Sequence, residues 1–380
     1  MTRITFKREE LLRAIEYCMT SVEKKSTMPI LSHVLMESTK NQCRIVATNL
    51  DTSVIVRLTA VDYEGEVKIA IPARHFNEIC KGVRGETVKL EHDGEHNVLS
   101  VTSDKTGYTL PCGDANDFPA VSSEVGDEVT VPLKKILPLF KKLQFSMTDP
   151  NYNKTYSGVL MMRVTDEKRE VIELVTTDIH RISIVTLENF KLPLKELAEG
   201  IVIPGKNFSE IVKIFSDIDE AKLSIKEGKL IITADTVAFI CRLIKNEFPS
   251  YRNVTGNSAQ IEKKDHAEVR RKELVDGIKR VIALSTEEKI WAARFEFKGD
   301  TLRMSASSEF GGSSSDEILV EKGFQSDRTI GLNARYFLEV VGVIDDEKTR
   351  LIVEEGLRPL TIIEKNPEFT YTHMVMPLRI

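Results

Sequence analysis

One short segment combines residue types that could transfer protons: Thr177-Asp178-Ile179-His180-Arg181, in which a carboxylate precedes an imidazole by two positions. Asp and His are common general acids and bases, so an enzyme that uses Asp178 and His180 is one hypothesis for this chain. The segment lies within an apolar, strand-like pattern, and the sequence pairs no nucleophile with it. The enzyme hypothesis is therefore kept as the alternative to a binding protein.

A second pair of residues could ligate a metal. His92 and His96 are four positions apart, but the Asp93-Gly94 pair between them is typical of a β-hairpin tip, which does not present two rings on one helical face. The motifs of phosphate loops, zinc proteases, serine hydrolases and dinucleotide-binding folds do not occur in the sequence. We expect no metal, no cofactor and no catalytic residues, which favours a binding scaffold.

The composition is that of an ordinary globular protein with several domains. The chain has 380 residues, of which 41% are hydrophobic and 29% charged. No apolar run approaches the length of about 18 residues that spans a membrane, and the charged N-terminus lacks a signal-peptide core. Five widely spaced cysteines without a CxxC pair fit free thiols in a reducing cytoplasm. The net charge of −5, taken alone, argues against a nucleic-acid-binding protein.

The elements that would position a site come from an internal repeat. Three segments each predict the end of a strand followed by an amphipathic helix. They are IPARHFNEIC (71–80), IPGKNFSEIV (203–212) and GLNARYFLEVV (331–341). A hairpin pattern follows each segment. Its turns are predicted at Asp93-Gly94, Glu227-Gly228 and Glu355-Gly356.

A second series of segments repeats upstream of the first. Its members each predict a short strand followed by an amphipathic helix. They are residues 3–19, 129–147 and 267–285. The chain is therefore predicted to be an α+β protein of three similar domains, each built from two strand–helix–strands half-units. The domains are expected at 1–125, 126–254 and 255–380.

Charge is distributed unevenly over these elements. The six repeated helices carry a net charge of +10, which leaves −15 for the rest of the chain. Segment 133–143 contributes most, with four lysines. Because solvated helix faces usually carry both signs, this separation indicates a basic surface gathered from equivalent helices. Such a surface could contact phosphates without reading base sequence.

Eight short motifs occur in order along the whole chain. They are TMPIL (27–31), ATNLD (47–51), IPARHFNEIC (71–80), NDFP (116–119), FSM (145–147), TDIHR (177–181), FPSYRNV (248–254) and MVMPLRI (374–380). Together they resemble the bacterial sliding clamp family, the beta subunit of DNA polymerase III. The resemblance implies three repeated clamp-type domains and a head-to-tail homodimer that closes into a ring, with helices lining the hole. It implies a processivity factor that encircles double-stranded DNA of any sequence and has no catalysis of its own.

The resemblance also implies a pocket between the second and third domains for peptides of partner proteins, including the replicative polymerase subunit and the clamp loader. An apolar groove that contains methionine could accommodate several peptides. Mapped onto this chain, the pocket residues are Tyr156, Thr177, Ile179, His180, Arg181, Ile182, Pro249, Val254, Leu357, Pro359, Met374, Met376, Pro377, Leu378 and Arg379. The chain departs from the family's usual residues in three places. It has Ile179 in place of Gly, Tyr156 in place of an aliphatic residue and Asn253 in place of Arg.

The resemblance further implies DNA contacts and a dimer interface. The expected DNA-contacting residues are Lys25, Arg74, Lys81, Lys206 and Tyr336. At the interface, Tyr108 and Leu110 of one chain are expected to meet Leu284 of the other. A third hypothesis, beside the clamp and the enzyme, is a cytoplasmic adaptor protein that binds no DNA.

Overall fold

The chain divides into two compact units. The structure is a computed structural model that describes the residues 2–23, 27–39, 41–122, 124–166, 169–188, 190–256, 261, 263–285 and 290–379. The first unit comprises Met1–Leu137 and Lys206–Leu243, and the second comprises Pro138–Gly205 and Ile244–Ile380. Each unit is therefore assembled from two separate stretches of chain.

Seven α-helices have described bounds. They are α1 (Arg8–Cys18), α2 (Ala73–Gly82), α3 (Leu133–Ile136), α4 (Gly205–Phe215), α5 (Arg252–Thr255), α6 (Arg271–Val281) and α7 (Ala334–Val343). Short 3-10 helices lie at Met19–Ser21, Pro29–Ser32, Ala115–Asp117, Leu137–Lys142, Gln144–Ser146, Thr155–Ser157, Lys195–Ala198 and Ile282–Leu284. All the α-helices except α5 coincide with helices that the repeat predicts, which confirms the pattern of apolar positions as a helical signal.

The remaining elements are β-strands. In the first part of the chain they are β1 (Thr2–Lys7), β2 (His33–Thr39), β3 (Gln42–Thr48), β4 (Thr52–Thr59), β5 (Asp62–Glu64), β6 (Val67–Pro72), β7 (Thr87–Asp93), β8 (Val98–Ser103), β9 (Thr106–Pro111) and β10 (Val129–Val131). In the middle they are β11 (Gly158–Asp166), β12 (Arg169–Thr177), β13 (Arg181–Leu187), β14 (Ile201–Pro204), β15 (Ala221–Lys226), β16 (Lys229–Ala234) and β17 (Val237–Arg242). The last are β18 (Ala267–Arg270), β19 (Ala292–Lys298), β20 (Thr301–Ser307), β21 (Ser313–Leu319), β22 (Arg328–Asn333), β23 (Lys348–Ile352), β24 (Leu360–Lys365) and β25 (Phe369–Val375).

The first unit contains two antiparallel sheets. A five-stranded sheet has the order β5-β1-β7-β8-β9, and an eight-stranded sheet has the order β10-β15-β16-β17-β4-β3-β2-β6. Helix α1 packs against β3, β4 and α2 and buries Leu11 and Ile15. The turn predicted at Glu227-Gly228 joins β15 to β16, and both residues have positive φ. This is the type I′ geometry of a two-residue hairpin, in which a glycine is favoured.

The second unit has the same kind of construction. An eight-stranded sheet has the order β14-β11-β12-β13-β25-β24-β23-β18, and a four-stranded sheet has the order β21-β20-β19-β22. Helix α6 packs against β20, β21 and α7 and buries Leu274 and Ile278. In α7, Phe337, Val340 and Val341 are buried, as their helical spacing predicts.

Segment 133–143 departs from the single amphipathic helix that the sequence predicts. Helix α3 ends at Ile136 and a 3-10 helix follows over Leu137–Lys142. Pro138 explains the change, because it lacks an N–H and its ring obstructs the preceding helical turn. The predicted basic surface does not include Lys142, which is completely buried and ion-paired with Glu364.

The segment 126–254, expected to be one domain, supplies strands to both units. Strands β10 and β15–β17 belong to the eight-stranded sheet of the first unit, and β11–β14 belong to that of the second. Each group is joined to a neighbouring repeat by main-chain pairing, β17 with β4 and β13 with β25. The sequence repeat and the compact units thus divide the chain differently, and the three expected domain boundaries stay a prediction. Within the described ranges, no helix combines the length and the apolar character needed to cross a membrane.

Candidate functional site

The residues expected to form the peptide pocket all belong to the second unit. In its eight-stranded sheet, β12 ends at Thr177 and β13 begins at Arg181. Val375, the last residue of β25, pairs with Arg181 on one side and with Leu360, the first residue of β24, on the other. The ends of these four strands therefore meet at one edge of the sheet, which we call the pocket edge.

Exposed apolar side chains lie at the pocket edge. Ile179 is 66% exposed in the turn between β12 and β13, Met376 is 39% exposed directly after β25, and Leu357 is 62% exposed shortly before β24. Beneath them, Ile182 and Met374 are buried in one hydrophobic cluster. Single exposed apolar residues are common, but several at one edge indicate an interaction site.

Aromatic rings form a wall beside this cluster. The ring centroids of Tyr156 and Phe248 are 6.3 Å apart, and those of Phe248 and Tyr251 are 6.5 Å apart, both in edge-on geometry. Tyr251 is buried in the same cluster as Ile182, and its hydroxyl donates a hydrogen bond to Glu173. Helix α5, which begins at the next residue, carries Val254 at 54% exposure.

Phe248, which lies between Tyr156 and Tyr251, is not among the residues that the sequence predicts for the pocket. It stands next to Pro249, which was expected there and is half-buried. A signal for it was present, since NDFP at 116–119 recurs as NEFP at 246–249. A phenylalanine repeated before a proline at a domain boundary indicates a packing position.

The turn at the pocket edge is held by its own hydrogen bonds. The N–H groups of His180 and Arg181 donate to Oδ1 of Asp178 at 3.1 and 3.0 Å. The hydroxyl of Thr177 accepts from the N–H of Ile179 at 3.1 Å and donates to the carbonyl of Arg181 at 2.7 Å. The side chains of Thr177 and Asp178 therefore stabilise the backbone conformation of the turn.

Arg181 anchors this turn to the rest of the second unit. Its guanidinium donates to Oδ2 of Asp178 at 2.9 Å, to the carboxylate of Glu339 on α7 and to the carbonyl of Phe145. The guanidinium also lies 4.2 Å from the centroid of the Tyr336 ring. Arg181 is only 7% exposed, and its planar guanidinium has partners on every side. The residue therefore fixes the turn against helix α7.

A polar cluster lies under the pocket edge. The hydroxyl of Ser183 is 2.7 Å from Ser146 Oγ and 2.7 Å from Nδ1 of His373. Burial lowers the pKa of His373 well below its ordinary value, and the positive charge of Arg181 lowers it further. The imidazole is therefore neutral at pH 7, and it joins β25 to β13 as a structural hydrogen-bonding group.

The C-terminal segment is tied to the same edge. The N–H of Met376 donates to the carbonyl of His180 at 2.8 Å, and the N–H of Leu378 donates to the carbonyl of Gly331 at 2.8 Å. Pro377 and Leu378 are half-buried, whereas Arg379 is exposed. The segment therefore continues past the last strand along the pocket edge. Pro359, half-buried just before β24, adjoins it.

The proton-transfer hypothesis for Asp178 and His180 finds no support in this geometry. Both carboxylate oxygens of Asp178 accept hydrogen bonds from backbone amides or from the Arg181 side chain. The imidazole of His180 lies instead against Tyr336, with ring centroids 6.3 Å apart and planes 22° from parallel. The two groups serve a turn and a stacking contact.

Three of the residues expected to contact DNA are exposed on helices, whereas Tyr336 packs at the pocket edge. Arg74 and Lys81 are exposed on α2, and Lys206 is exposed on α4. Lys25 lies outside the described residues. Tyr336, expected among the DNA contacts, packs against His180 and Arg181 at the pocket edge.

The residues expected at the dimer interface lie on or beside terminal strands of two sheets. Tyr108, which is 37% exposed, and Leu110, which is 9% exposed, are on β9, the last strand of its five-stranded sheet. Leu284, 40% exposed, ends the 3-10 helix Ile282–Leu284, which packs against β21, the first strand of its four-stranded sheet.

These observations define a class of protein: a repeat-built scaffold with exposed apolar side chains at one sheet edge and exposed lysines and arginines on its helices. Comparison with protein families gives the family. The N-terminal, central and C-terminal domain models of the DNA polymerase III beta subunit match residues 2–122, 127–250 and 261–379. The chain belongs to the DNA polymerase III beta subunit family.

Curated relatives match over the full length. The beta sliding clamp of Pseudomonas aeruginosa is 25% identical over 379 residues, which cover 99% of both chains. The beta sliding clamp of Escherichia coli is 25% identical over 385 residues and is covered completely, as is this chain.

Solved structures share the fold. The DNA polymerase III subunit beta of Pseudomonas aeruginosa matches with a TM-score of 0.88 at 24% identity and complete coverage of both chains. The beta sliding clamp of C. crescentus matches with a TM-score of 0.89 at 22% identity, covering 100% of this chain and 99% of that one. Another Pseudomonas aeruginosa structure is of the sliding clamp bound to griselimycin.

Proposed function

We propose that this chain is a DNA sliding clamp, which confers processivity on the replicative DNA polymerase by encircling double-stranded DNA and binding peptides of its partners at the pocket edge. It acts without catalysis. The observation that carries the proposal is the set of exposed apolar side chains at the ends of β12, β13, β24 and β25. The full-length family match supports a protein-binding role for that surface, because a clamp must bind other proteins while it holds DNA.

Peptide binding rests on the chemistry of the pocket edge. Ile179, Leu357 and Met376 offer apolar area on a floor formed by Ile182 and Met374. Apolar grooves of this kind take an extended or helical peptide through a few buried side chains. Tyr336 belongs to this pocket in our proposal, since its ring is stacked with His180 rather than presented from a basic helix surface.

Ring closure rests on two open sheet edges. Strand β9 ends one sheet and β21 ends another, and the described residues add no further strand to either edge. Exposed apolar side chains accompany both edges, with Tyr108 on β9 and Leu319, 67% exposed, on β21. Unpaired strand edges are templates for pairing with another chain. We propose that β9 of one copy pairs with β21 of a second copy, and that Tyr108, Leu110 and Leu284 pack beside this junction.

DNA contact rests on exposed cations of the helices. Arg74, Lys81 and Lys206 extend into solvent from α2 and α4, and Lys25 is expected to join them. Contacts of this kind neutralise phosphates without reading bases, which suits a protein that slides. We also propose that the clamp works in the cytoplasm and that its repeats are bounded at 125/126 and 254/255. Five free cysteines, four of them buried, fit a reducing compartment.

The test is retention on DNA of two topologies. The chain, loaded by the clamp loader of the same cell, is expected to remain on a nicked circular plasmid and to be lost once the plasmid is linearised. A variant with Tyr108→Asp and Leu284→Asp should sediment near 42.9 kDa and be retained on neither DNA, while the wild type sediments near twice that mass. Equal retention of the wild type on circular and linear DNA would refute the clamp function.

A further inference from the structure

Ile179 has an unusual backbone conformation for a bulky side chain. Its φ is +79°, whereas that of His180 is not positive, and the N–H of Asp178 donates to the carbonyl of Arg181 at 3.3 Å. A positive φ at the first central residue is the geometry of a type II′ hairpin, which favours glycine. A β-branched residue in this region is strained, because its side chain crowds the backbone.

The first unit contains the same turn. Leu50 has φ +73°, its N–H donates to Thr48 Oγ1 at 3.1 Å, and the N–H of Asn49 donates to the carbonyl of Thr52 at 3.1 Å. Each of these bonds has its counterpart around Ile179. The left-handed residue is therefore a requirement of the repeated hairpin, and a positive φ alone does not distinguish the two positions.

What distinguishes them is the surrounding surface. In the first unit the N–H of Arg242 donates to the carbonyl of Asp51 in the turn, at 2.9 Å. In the second unit the corresponding bond, to the carbonyl of His180, comes from the N–H of Met376, at 2.8 Å. Arg242 also lies 3.8 Å from the carboxylate of Asp51, so Leu50 stands beside charged groups. Ile179 stands beside Met376, whose apolar side chain is 39% exposed, and the ion pair of its own turn, Arg181 with Asp178, is only 7% and 14% exposed.

Ile179 gains little within its own chain. Two-thirds of the side chain is exposed, so packing in the free protein does not offset the strain of its conformation. A glycine would fit the turn better, and a polar residue would suit the exposure better. An exposed apolar side chain on a hydrogen-bonded turn, beside Met376, is suited to an apolar contact with a bound molecule.

We propose that Ile179 is a specificity-determining residue of the pocket: it packs against an apolar side chain of the bound peptide and so selects peptides with an apolar residue at the facing position over peptides with a polar one. This inference rests on the proposed peptide-binding function. Because Asp178, Thr177 and Arg181 fix the turn, the backbone that carries Ile179 is preorganised, which lowers the entropic cost of the contact.

The experiment compares matched glycine variants in the full-length chain. The probe is the tightest binder among overlapping short peptides that cover the replicative polymerase subunit, measured by fluorescence anisotropy. Ile179→Gly should weaken peptide binding about tenfold, because it removes an apolar side chain from the contact. Leu50→Gly relieves the same strain in the equivalent turn and should leave peptide binding unchanged. Both variants should keep the wild-type dimer and a midpoint of thermal unfolding equal to or above that of the wild type.

Peptide variants then locate the contact. Replacing each apolar residue of the probe with alanine should reveal one position whose loss costs the wild type much more affinity than it costs Ile179→Gly. Ile179→Asn, which tolerates the left-handed conformation, should reproduce the binding loss if the glycine variant is poorly folded.

The outcomes separate the two proposals. If Ile179→Gly binds as tightly as the wild type while Met376→Ala binds weakly, the role of Ile179 is wrong and the pocket stands. If Ile179→Gly and Leu50→Gly weaken binding equally, the effect is conformational and the role of Ile179 is again wrong. If neither Ile179→Gly nor Met376→Ala changes binding, the pocket itself is wrong.

Discussion

The ammonium nitrogen of Lys142 lies 2.5 Å from a carboxylate oxygen of Glu364, and both side chains are almost inaccessible to water. The same nitrogen donates to the carbonyl of Val343 at 2.8 Å and lies 3.1 Å from Asp345. The rings of Phe369 and Tyr371 have centroids within 5.6 and 5.3 Å of it. The cation is thus satisfied on several sides, and it connects the 3-10 helix Leu137–Lys142 to β24 and to the end of α7.

We expect Lys142→Met to destabilise the second unit strongly. The substitution keeps an unbranched side chain but leaves Glu364 buried without its cation, which typically costs about 3–5 kcal/mol of the free energy of unfolding. The measurement is urea unfolding monitored by circular dichroism. Lys141→Met is the matched control: Lys141 pairs with Asp345 at 2.8 Å but is 48% exposed, so its loss should cost at most about 1 kcal/mol. Equal losses in the two variants would contradict a structural role for the buried pair.

Lys142 also shows what the sequence could not provide. Helical spacing and alternation predicted the six repeated helices and their hairpins, because these patterns depend on neighbours in the chain. The burial of Lys142 depends on Glu364, more than two hundred residues away, which no local pattern reveals. The same holds for Tyr336: the family resemblance predicts a DNA contact there, and no local pattern reveals its contacts with His180 and Arg181, which lie more than 150 residues away in the chain. The resemblance of whole motifs is the source of the predicted pocket residues, since periodicity alone predicts only a terminal edge strand for MVMPLRI (374–380).

Glu210 on α4 is expected to make stability depend on pH. It is 7% exposed, and its Oε2 has no hydrogen-bond partner among the described residues. Burial raises the pKa of this carboxyl from 4.5 to about 7, although Lys206 and Lys213 lower it. Because the folded state holds the proton more tightly than the unfolded state, this group favours folding at low pH. That contribution is lost as the pH rises from about 4.5 to about 7.

Glu210→Gln should remove this dependence. The free energy of unfolding at pH 8 should rise by up to about 3 kcal/mol, whereas at pH 4 it should change little. The measurement is urea unfolding across that pH range. Glu78, the equivalent residue of α2, is 72% exposed and pairs with Lys81 at 3.4 Å, so Glu78→Gln is the control and should show no such gain. A pH profile that is the same for Glu210→Gln and the wild type would contradict the prediction.

A substitution of Tyr336 tests whether this residue belongs to the proposed peptide pocket or to the proposed DNA surface. We expect Tyr336→Ala to weaken binding of the polymerase peptide about tenfold, because the ring stacks on His180 and covers Arg181. Retention on circular DNA should be unchanged. Anisotropy with the labelled peptide and gel filtration with nicked plasmid measure the two properties. If the variant binds peptide normally but leaves DNA more readily at raised salt, Tyr336 belongs to the DNA surface.

Removal of Met376–Ile380 tests the rim of the pocket. The deletion eliminates the exposed Met376 side chain and the hydrogen bond from its N–H to His180, while the edge strands β9 and β21 remain intact. We expect peptide binding to be abolished and the dimer to survive, as measured by anisotropy and sedimentation. Loss of the dimer would instead assign this segment a structural role.

Salt dependence distinguishes phosphate contacts from incidental surface charge. Each cation that neutralises a phosphate releases a counterion, so Arg74→Ala and Lys206→Ala should each reduce the slope of log affinity against log salt by about 1. Binding to an immobilised duplex between about 50 and 200 mM salt measures this slope. Lys68→Ala is the control, since Lys68 is an exposed lysine on strand β6 rather than on a repeated helix. Retention on circular DNA should survive each single substitution, because a closed ring holds DNA by topology. A slope that falls as much in the Lys68 variant as in the helix variants would show that the helices have no special part in binding DNA.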